Sequence, residues 1–364
     1  MSTYKETLYF IGKCLTINHE EKNRFLVEKD LKPETVDWDA VVKVSTTHYV
    51  FPALYCNLKR ANLLHYIPTD LVAYMKHITD LNRERNQQII KQAKEVNELL
   101  LENNIKPIFL KGTGNLLEGL YDDIAERMVG DIDLLVSKKE IEKSYKILQE
   151  SGYENVVSIL LEDHRHLPRI THSKKIAAIE LHHEILKLEK SSFFNFDTIN
   201  SSLKFNHKNK FIFLSDENQI KLTIFSKMIN DNQYFLKTVN LRAAYDFYLI
   251  SNRLSKSIIL KDKKLSKELN AGIELYSYIL SKPKMINNNS DKKSKLFLKD
   301  CLNNLNTTKK NTLINKKNKF ILKSKSRLNI IFKSLYKKSY FKYVIKKLTD
   351  VNFLKRALGI KGNI

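Results

Sequence analysis

Two aspartates, Asp131 and Asp133, stand in the stretch "ERMVGDIDLLVS" (residues 126–137), which otherwise reads as a core strand. Side chains alternate between faces along a strand. The two carboxylates therefore share one face, Ile132 and Leu134 share the other, and the aspartate Cα atoms stand about 6.5–7 Å apart. Carboxylates converging from one sheet face repel each other and are costly to bury, and a divalent cation removes that cost. Oxygen ligands of this kind suit Mg²⁺. A D-x-D at the solvated end of a strand needs no ion, so the pair alone leaves both readings open.

Three further features bear on the choice. "FLKGTGN" (109–115) follows a short apolar run. Gly112 and Gly114 allow close backbone approach, and Lys111 and Thr113 are candidates to meet a phosphate, although the spacing is not that of a Walker A loop. Arg127 precedes the aspartates, where a guanidinium suits phosphate oxygens and where a plain surface arginine is equally at home. "AAIELHHEI" (177–185) reads as a strand with Glu180 and His182 on one face. If it pairs beside the D-x-D strand, Glu180 is a third carboxylate. His164, His166, His172, His182 and His183 cluster in sequence. The first two sit in a Pro-containing loop without the helical spacing of a zinc motif. The set reads as surface or substrate-contacting side chains rather than metal ligands.

The elements that must position these residues follow from periodicity. Residues 1–104 read as a helical region, including one long amphipathic helix or two ending at "ENN". Residues 105–215 read as an α/β core, with strands at "IKPIFLKG", "GDIDLLV", "ENVVSILL", "KKIAAIELHHEIL" and "KFIFL". "SKKEIEKSYKILQESGY" is a helix with Ser137 as N-cap, Glu140 completing a capping box and Gly152 at the C-cap. Residues 216–280 return to helix, and 281–364 form a basic, partly helical tail. The fold class is α+β.

Composition narrows the setting. The chain carries a net charge of +23, but residues 281–364 hold 23 Lys and Arg against 3 acids, so +20 lies in the tail and the body is near neutral. Cys14, Cys56 and Cys301 show no C-x-x-C spacing, which fits a reducing cytoplasm. The start "MSTYKETLYF" does not read as a secretory signal, and no run reaches ~18 apolar residues.

The ordered set "IFLKGTGNLLEGLY…ERMVGDIDLLVSKKEIEKSYKILQESGYE…IELHHEI" resembles the polymerase-beta-type nucleotidyltransferase superfamily. More narrowly, it is similar to a bacterial nucleotidyltransferase family with the pattern KG…LY…R…GDIDLLV…GY…DLHW. The likeness spans roughly residues 30–255, including "VSTTHYVFPALY" and "LRAAYDFYLI", where that family has a helical Arg and Asp. It implies a small mixed sheet flanked by helices and metal-dependent transfer of a nucleoside monophosphate. It implies Asp131, Asp133 and Glu180 as catalytic and metal-binding, with Lys111, Gly112, Thr113 and Arg127 around the nucleotide. Two Mg²⁺ ions are implied, with Mn²⁺ as the alternative. The partners implied are an NTP and a hydroxyl acceptor, in the class of small molecules or glycan precursors. Glu180 and His183 stand where the family has Asp and Trp. A rival reading makes the chain a non-catalytic nucleotide fold acting through residues 282–364, whose interleaved Lys and aromatics suit nucleic acid or, peripherally, the anionic inner face of a membrane.

Overall fold

The computed structural model describes residues 3–156, 163–287, 290–306 and 309–350. Seven strands form one mixed sheet: β1 (Ile108–Phe109), β2 (Asp131–Leu135), β3 (Glu154–Asn155), β4 (Ile170–Thr171), β5 (Ala178–His182), β6 (Leu203–Asn206) and β7 (Phe211–Leu214). Their order is β3-β4-β5-β2-β1-β7-β6. β2 runs parallel to β5, and β1 runs parallel to β7. The other neighbours are antiparallel. The fold is the expected α+β arrangement of a mixed sheet between helical regions.

The parallel β2–β5 pair fixes the site. Parallel neighbours need a long crossover, and here it contains the helix Ile141–Glu150, which packs on β5. Ile132, Leu134, Ile179 and Leu181 are fully buried on one face of the pair. Alternation then sends Asp131, Asp133, Glu180 and His182 to the other.

The crossover helix starts later than its cap signal suggests. The Ser137 hydroxyl donates to the Glu140 carboxylate, and the Glu140 amide bonds the Ser137 carbonyl at 3.0 Å, closing a separate turn before Ile141. Its end follows expectation. Gly152 takes φ +95°, and the Tyr153 amide returns to the Leu148 carbonyl at 3.1 Å, satisfying an orphan of the last turn.

The long N-terminal helix is single, Thr69–Glu102, 34 residues or about 51 Å. Its buried face carries amides that serve as backbone partners for chain lying outside the sheet ladder. Asn82 donates to the Ala125 carbonyl at 2.7 Å. Asn86 donates to the carbonyls of Ile124 (2.6 Å) and Arg127 (2.7 Å). Gln92 donates to the Ala177 carbonyl at 2.8 Å and accepts from its amide at 3.0 Å. The helix thereby pins the lead-ins to both site strands.

Two strands differ from the sequence reading. β4 lies inside the polar segment expected to separate strands, where the buried Ile170 pairs with Ile179. β6 is an edge strand without a strong apolar pattern, and it pairs with β7 in a hairpin. Of the expected strand at 154–161, Glu154–Asn155 is β3, and 157–162 lie outside the described residues. The segment read as a glycine turn is the start of a helix, Lys111–Leu117, entered directly from β1. Gly114 is needed there, because a Cβ would stand 2.8 Å from the Phe109 carbonyl oxygen. The tail forms helices Lys292–Leu305, Lys309–Ser334 and Lys338–Thr349. No helix among the described residues is long and apolar enough to cross a membrane.

Candidate active site

The register of β2 against β5 sets Asp133 directly beside Glu180 and Asp131 beside Ala178. All three carboxylates lie along one cavity of about 260 Å³. His182, one alternation beyond Glu180, is buried on the same face, not at the surface as its sequence reading suggests. Its Nε2 is 2.8 Å from Asp133 Oδ1 and 3.6 Å from Glu180 Oε2. Ligand atoms of Asp133, Glu180 and His182 all lie within 4.8 Å of one another, a spacing suited to one ion.

Positive charge already gathers on these oxygens. The Lys111 ammonium bonds Asp133. Arg169 Nη2 bridges Asp131 Oδ2 and Glu180 Oε1, each at 2.8 Å. Burial works against the Asp133 charge, but Lys111 and His182 outweigh it and hold the carboxyl far below its ordinary range. Glu180 is also opposed by burial and nevertheless held down to about 2, chiefly by the His182 hydrogen bond and by Arg169. Asp131 goes the other way, raised first by burial and then by Asp133 and Glu180. His166, whose ring centroid is 5.0 Å from that of His182, is pushed down to about 4 by burial.

The residues expected around the nucleotide divide into two groups. Lys111 (φ +51°) and Gly112 line the cavity. A Cβ on Gly112 would stand 3.1 Å from Val129 Cγ2 and 3.2 Å from Arg127 Cζ, so this wall has no spare room. Thr113 is fully buried, and its hydroxyl donates to the Asp131 carbonyl at 2.8 Å, which ties the helix to β2. Arg127 also lines the cavity, but its guanidinium is engaged. Nε donates to Asp246 Oδ1 (3.0 Å) and Oδ2 (3.1 Å), Nη2 to Oδ2 (2.9 Å) and Nη1 to the Met128 carbonyl (2.8 Å). The Tyr121 hydroxyl adds a bond to Asp246 Oδ1 at 2.7 Å. Burial disfavours the Arg127 charge, but Asp246 and Tyr121 more than compensate and hold the guanidinium above its ordinary value.

Several site residues went unassigned from sequence. Pairing the charges around the cavity isolates two of them. Lys111 faces Asp133, Arg127 faces Asp246, Lys227 faces Asp231 at 2.6 Å, and Arg169 faces Asp131 and Glu180. Arg165 and Arg242 also line the cavity, and among the described residues neither has a carboxylate partner. The Nε of each is buried without a hydrogen bond. Arg242 donates Nη1 to the Met128 carbonyl at 3.1 Å and lies 4.9 Å from the Tyr49 ring centroid. Burial and the neighbouring Arg127 lower it to about 10, so it stays charged at neutral pH. The sequence did hold a signal for two of these side chains. Arg242 and Asp246 are four residues apart on the helix Leu241–Asn252, hence on one face. Arg165 and Arg169 carried none, because they lie in a polar, His-rich stretch without periodicity.

A family model described as "Uncharacterised nucleotidyltransferase" matches residues 34–272, most of the chain and every site residue above. The chain belongs to this nucleotidyltransferase family. No curated protein and no solved structure matches it. As a nucleotidyltransferase, it is an enzyme of the class that moves a nucleoside monophosphate. Its paired strands β2 and β5 supply the acidic face, and the helix Leu241–Asn252 brings Arg242 and Asp246 to the same cavity.

Proposed function

We propose that this nucleotidyltransferase moves an NMP from an NTP to a hydroxyl of an acceptor, in the class of small molecules or glycan precursors, and releases pyrophosphate. The observation that carries the reading is the in-register pairing of Asp133 with Glu180, with Asp131 on the same face. The donor set fits a divalent ion. Three carboxylates converge where Lys111 and Arg169 already supply positive charge, and hard oxygens suit Mg²⁺, with Mn²⁺ as the alternative. Asp131, Asp133 and Glu180 would hold two such ions. When bound, these would acidify the acceptor hydroxyl and neutralise the triphosphate.

The chain's own residues supply positioning. His182 orients Asp133 through its Nε2 bond, as a supporting imidazole does for a ligating carboxylate. Glu180, held at about 2, is a poor base at neutral pH, which favours a ligand role over proton abstraction. Arg165 and Arg242, which have no carboxylate partner among the described residues, would meet the triphosphate oxygens, and Lys111 would join them. Arg127 acts through Asp246 as a positioning residue, keeping the wall that carries Arg242 in place. In the transfer itself the acceptor oxygen bonds the α-phosphorus as the bond to the bridging oxygen breaks. Pyrophosphate leaves with that electron pair, and the hydroxyl proton goes to solvent.

The test incubates the protein with each α-labelled NTP, Mg²⁺ and a small-molecule extract, and follows labelled product and pyrophosphate together. Asp133→Asn should lower both by at least about a hundredfold while circular dichroism shows the variant still folded at the assay temperature. Turnover by Asp133→Asn equal to the parent's would refute the assignment.

A further inference from the structure

We propose that the C-terminal helices Lys309–Ser334 and Lys338–Thr349 form a hairpin that lies on the surface of an anionic lipid bilayer. The two helices pack against each other, yet they leave large apolar side chains in solvent. Phe320 is 69% exposed, Leu328 66% and Phe332 63%, which is far from the burial of a core helix.

The exposed apolar residues are not scattered. At roughly 100° per residue, Leu313, Phe320 and Ile331 fall within about 20° of one another around the first helix. Ile314, Ile321, Leu328 and Phe332 widen the line to a stripe about 120° across. Lys316, Lys319, Lys323 and Arg327 flank one side of it, Lys325 the other, and the exposed Lys317 stands within it. On the second helix Phe341, Ile345 and Leu348 repeat at helical spacing and are also exposed.

Charge decides between occupants. Residues 309–350 hold fourteen Lys and Arg against one Asp, a net of +13. That field repels a second copy of the same segment and attracts a negatively charged surface. Phosphate contacts would satisfy the lysines on nucleic acid, but a stripe of Leu and Ile gains nothing there. An anionic bilayer accepts both, with the stripe in the headgroup–acyl boundary and the lysine stems reaching to the headgroups. The hairpin has a firm attachment to the body. Lys333 and Lys337 bond the two carboxylate oxygens of Asp163 at 2.8 and 2.6 Å.

This inference does not rest on the enzymatic reading, and it is tested with the full chain. Flotation is measured with vesicles of phosphatidylcholine alone and with phosphatidylglycerol added, for the parent and for the Leu328→Ser/Phe332→Ser double variant. Both changed positions are exposed, so thermal unfolding should not change. The parent should float with the anionic vesicles only, less so at high salt, and the double variant should lose at least about tenfold in binding. Failure to bind anionic vesicles, or equal binding by the double variant, would overturn the proposal. Salt-sensitive capture of polyuridine that survives the double substitution, without vesicle binding, would assign the tail to nucleic acid instead. A vesicle-free dimer that the double substitution dissolves would assign the stripe to a second copy.

Discussion

The pair Arg127–Asp246 separates two roles for Arg127, and Asp246→Asn is the decisive perturbation. Three guanidinium contacts and the Tyr121 hydroxyl converge on the Asp246 carboxylate at 2.7 to 3.1 Å. Both partners are buried, with side-chain exposure of 10% and 6%. Asparagine keeps one acceptor oxygen and removes the charge, leaving the guanidinium without its counterion. Breaking a buried pair from one side costs about 3–5 kcal/mol. For 364 residues the unfolding entropy is about 0.76 kcal/mol/K, so the midpoint should fall by about 4–7 °C. Calorimetry of the parent, Asp246→Asn, Arg127→Met and the double variant measures this directly. The double variant should be more stable than the sum of the single losses predicts, by at least about 1 kcal/mol of coupling. If Arg127 instead serves mainly as a phosphate ligand, Asp246→Asn would sit within about 0.5 kcal/mol of the parent and show no coupling. That result would refute the positioning role.

Three other outcomes follow from the same geometry. Arg165→Ala and Arg242→Ala should each weaken NTP binding about 10- to 100-fold in equilibrium dialysis while leaving nucleoside binding unchanged, because charge-assisted bonds to phosphate are what they would supply; equal loss for nucleoside and NTP would count against a phosphate contact. Gly114→Ala should destabilise by about 1–3 kcal/mol in denaturant unfolding, since its Cβ would press on the Phe109 backbone, whereas Gly130→Ala, with nothing near its Cβ, should be close to neutral. The Glu180 carboxyl is depressed to about 2, so its contribution to stability is in place above its ordinary value near 4.5 and is lost as pH falls toward 2. Asp131, being raised, partly offsets that loss by taking up its proton earlier. Unfolding free energy measured between pH 5 and 2 should therefore fall less steeply in Glu180→Gln than in the parent, and identical slopes would contradict it.

Much of the acidic face was legible in the sequence, because strand alternation is a local rule. "GDIDLLV" states that Asp131 and Asp133 share a face, and "IELHH" states the same of Glu180 and His182. What no local rule supplies is the partner and register of each strand. Only the parallel pairing of β2 with β5 puts Asp133 beside Glu180, and a slip of one residue would turn Glu180 into the core. That pairing also buried His182, which in sequence was one histidine among five.

Arg127 shows the other limit. An arginine before a D-x-D suggests phosphate from composition alone, and its engagement with Asp246 depends on contact between residues 119 positions apart. Arg165 was invisible for the same reason, and Arg242 showed only as the helical partner of Asp246: a cation becomes notable by lacking a carboxylate, and partners are a property of packing. The sequence by itself determined the α+β class, the acidic pair and the segregation of charge into the tail, since these follow from alternation, periodicity and counting. The tertiary structure decided which charges meet, because burial and pairing energies depend on distances that only the folded chain sets.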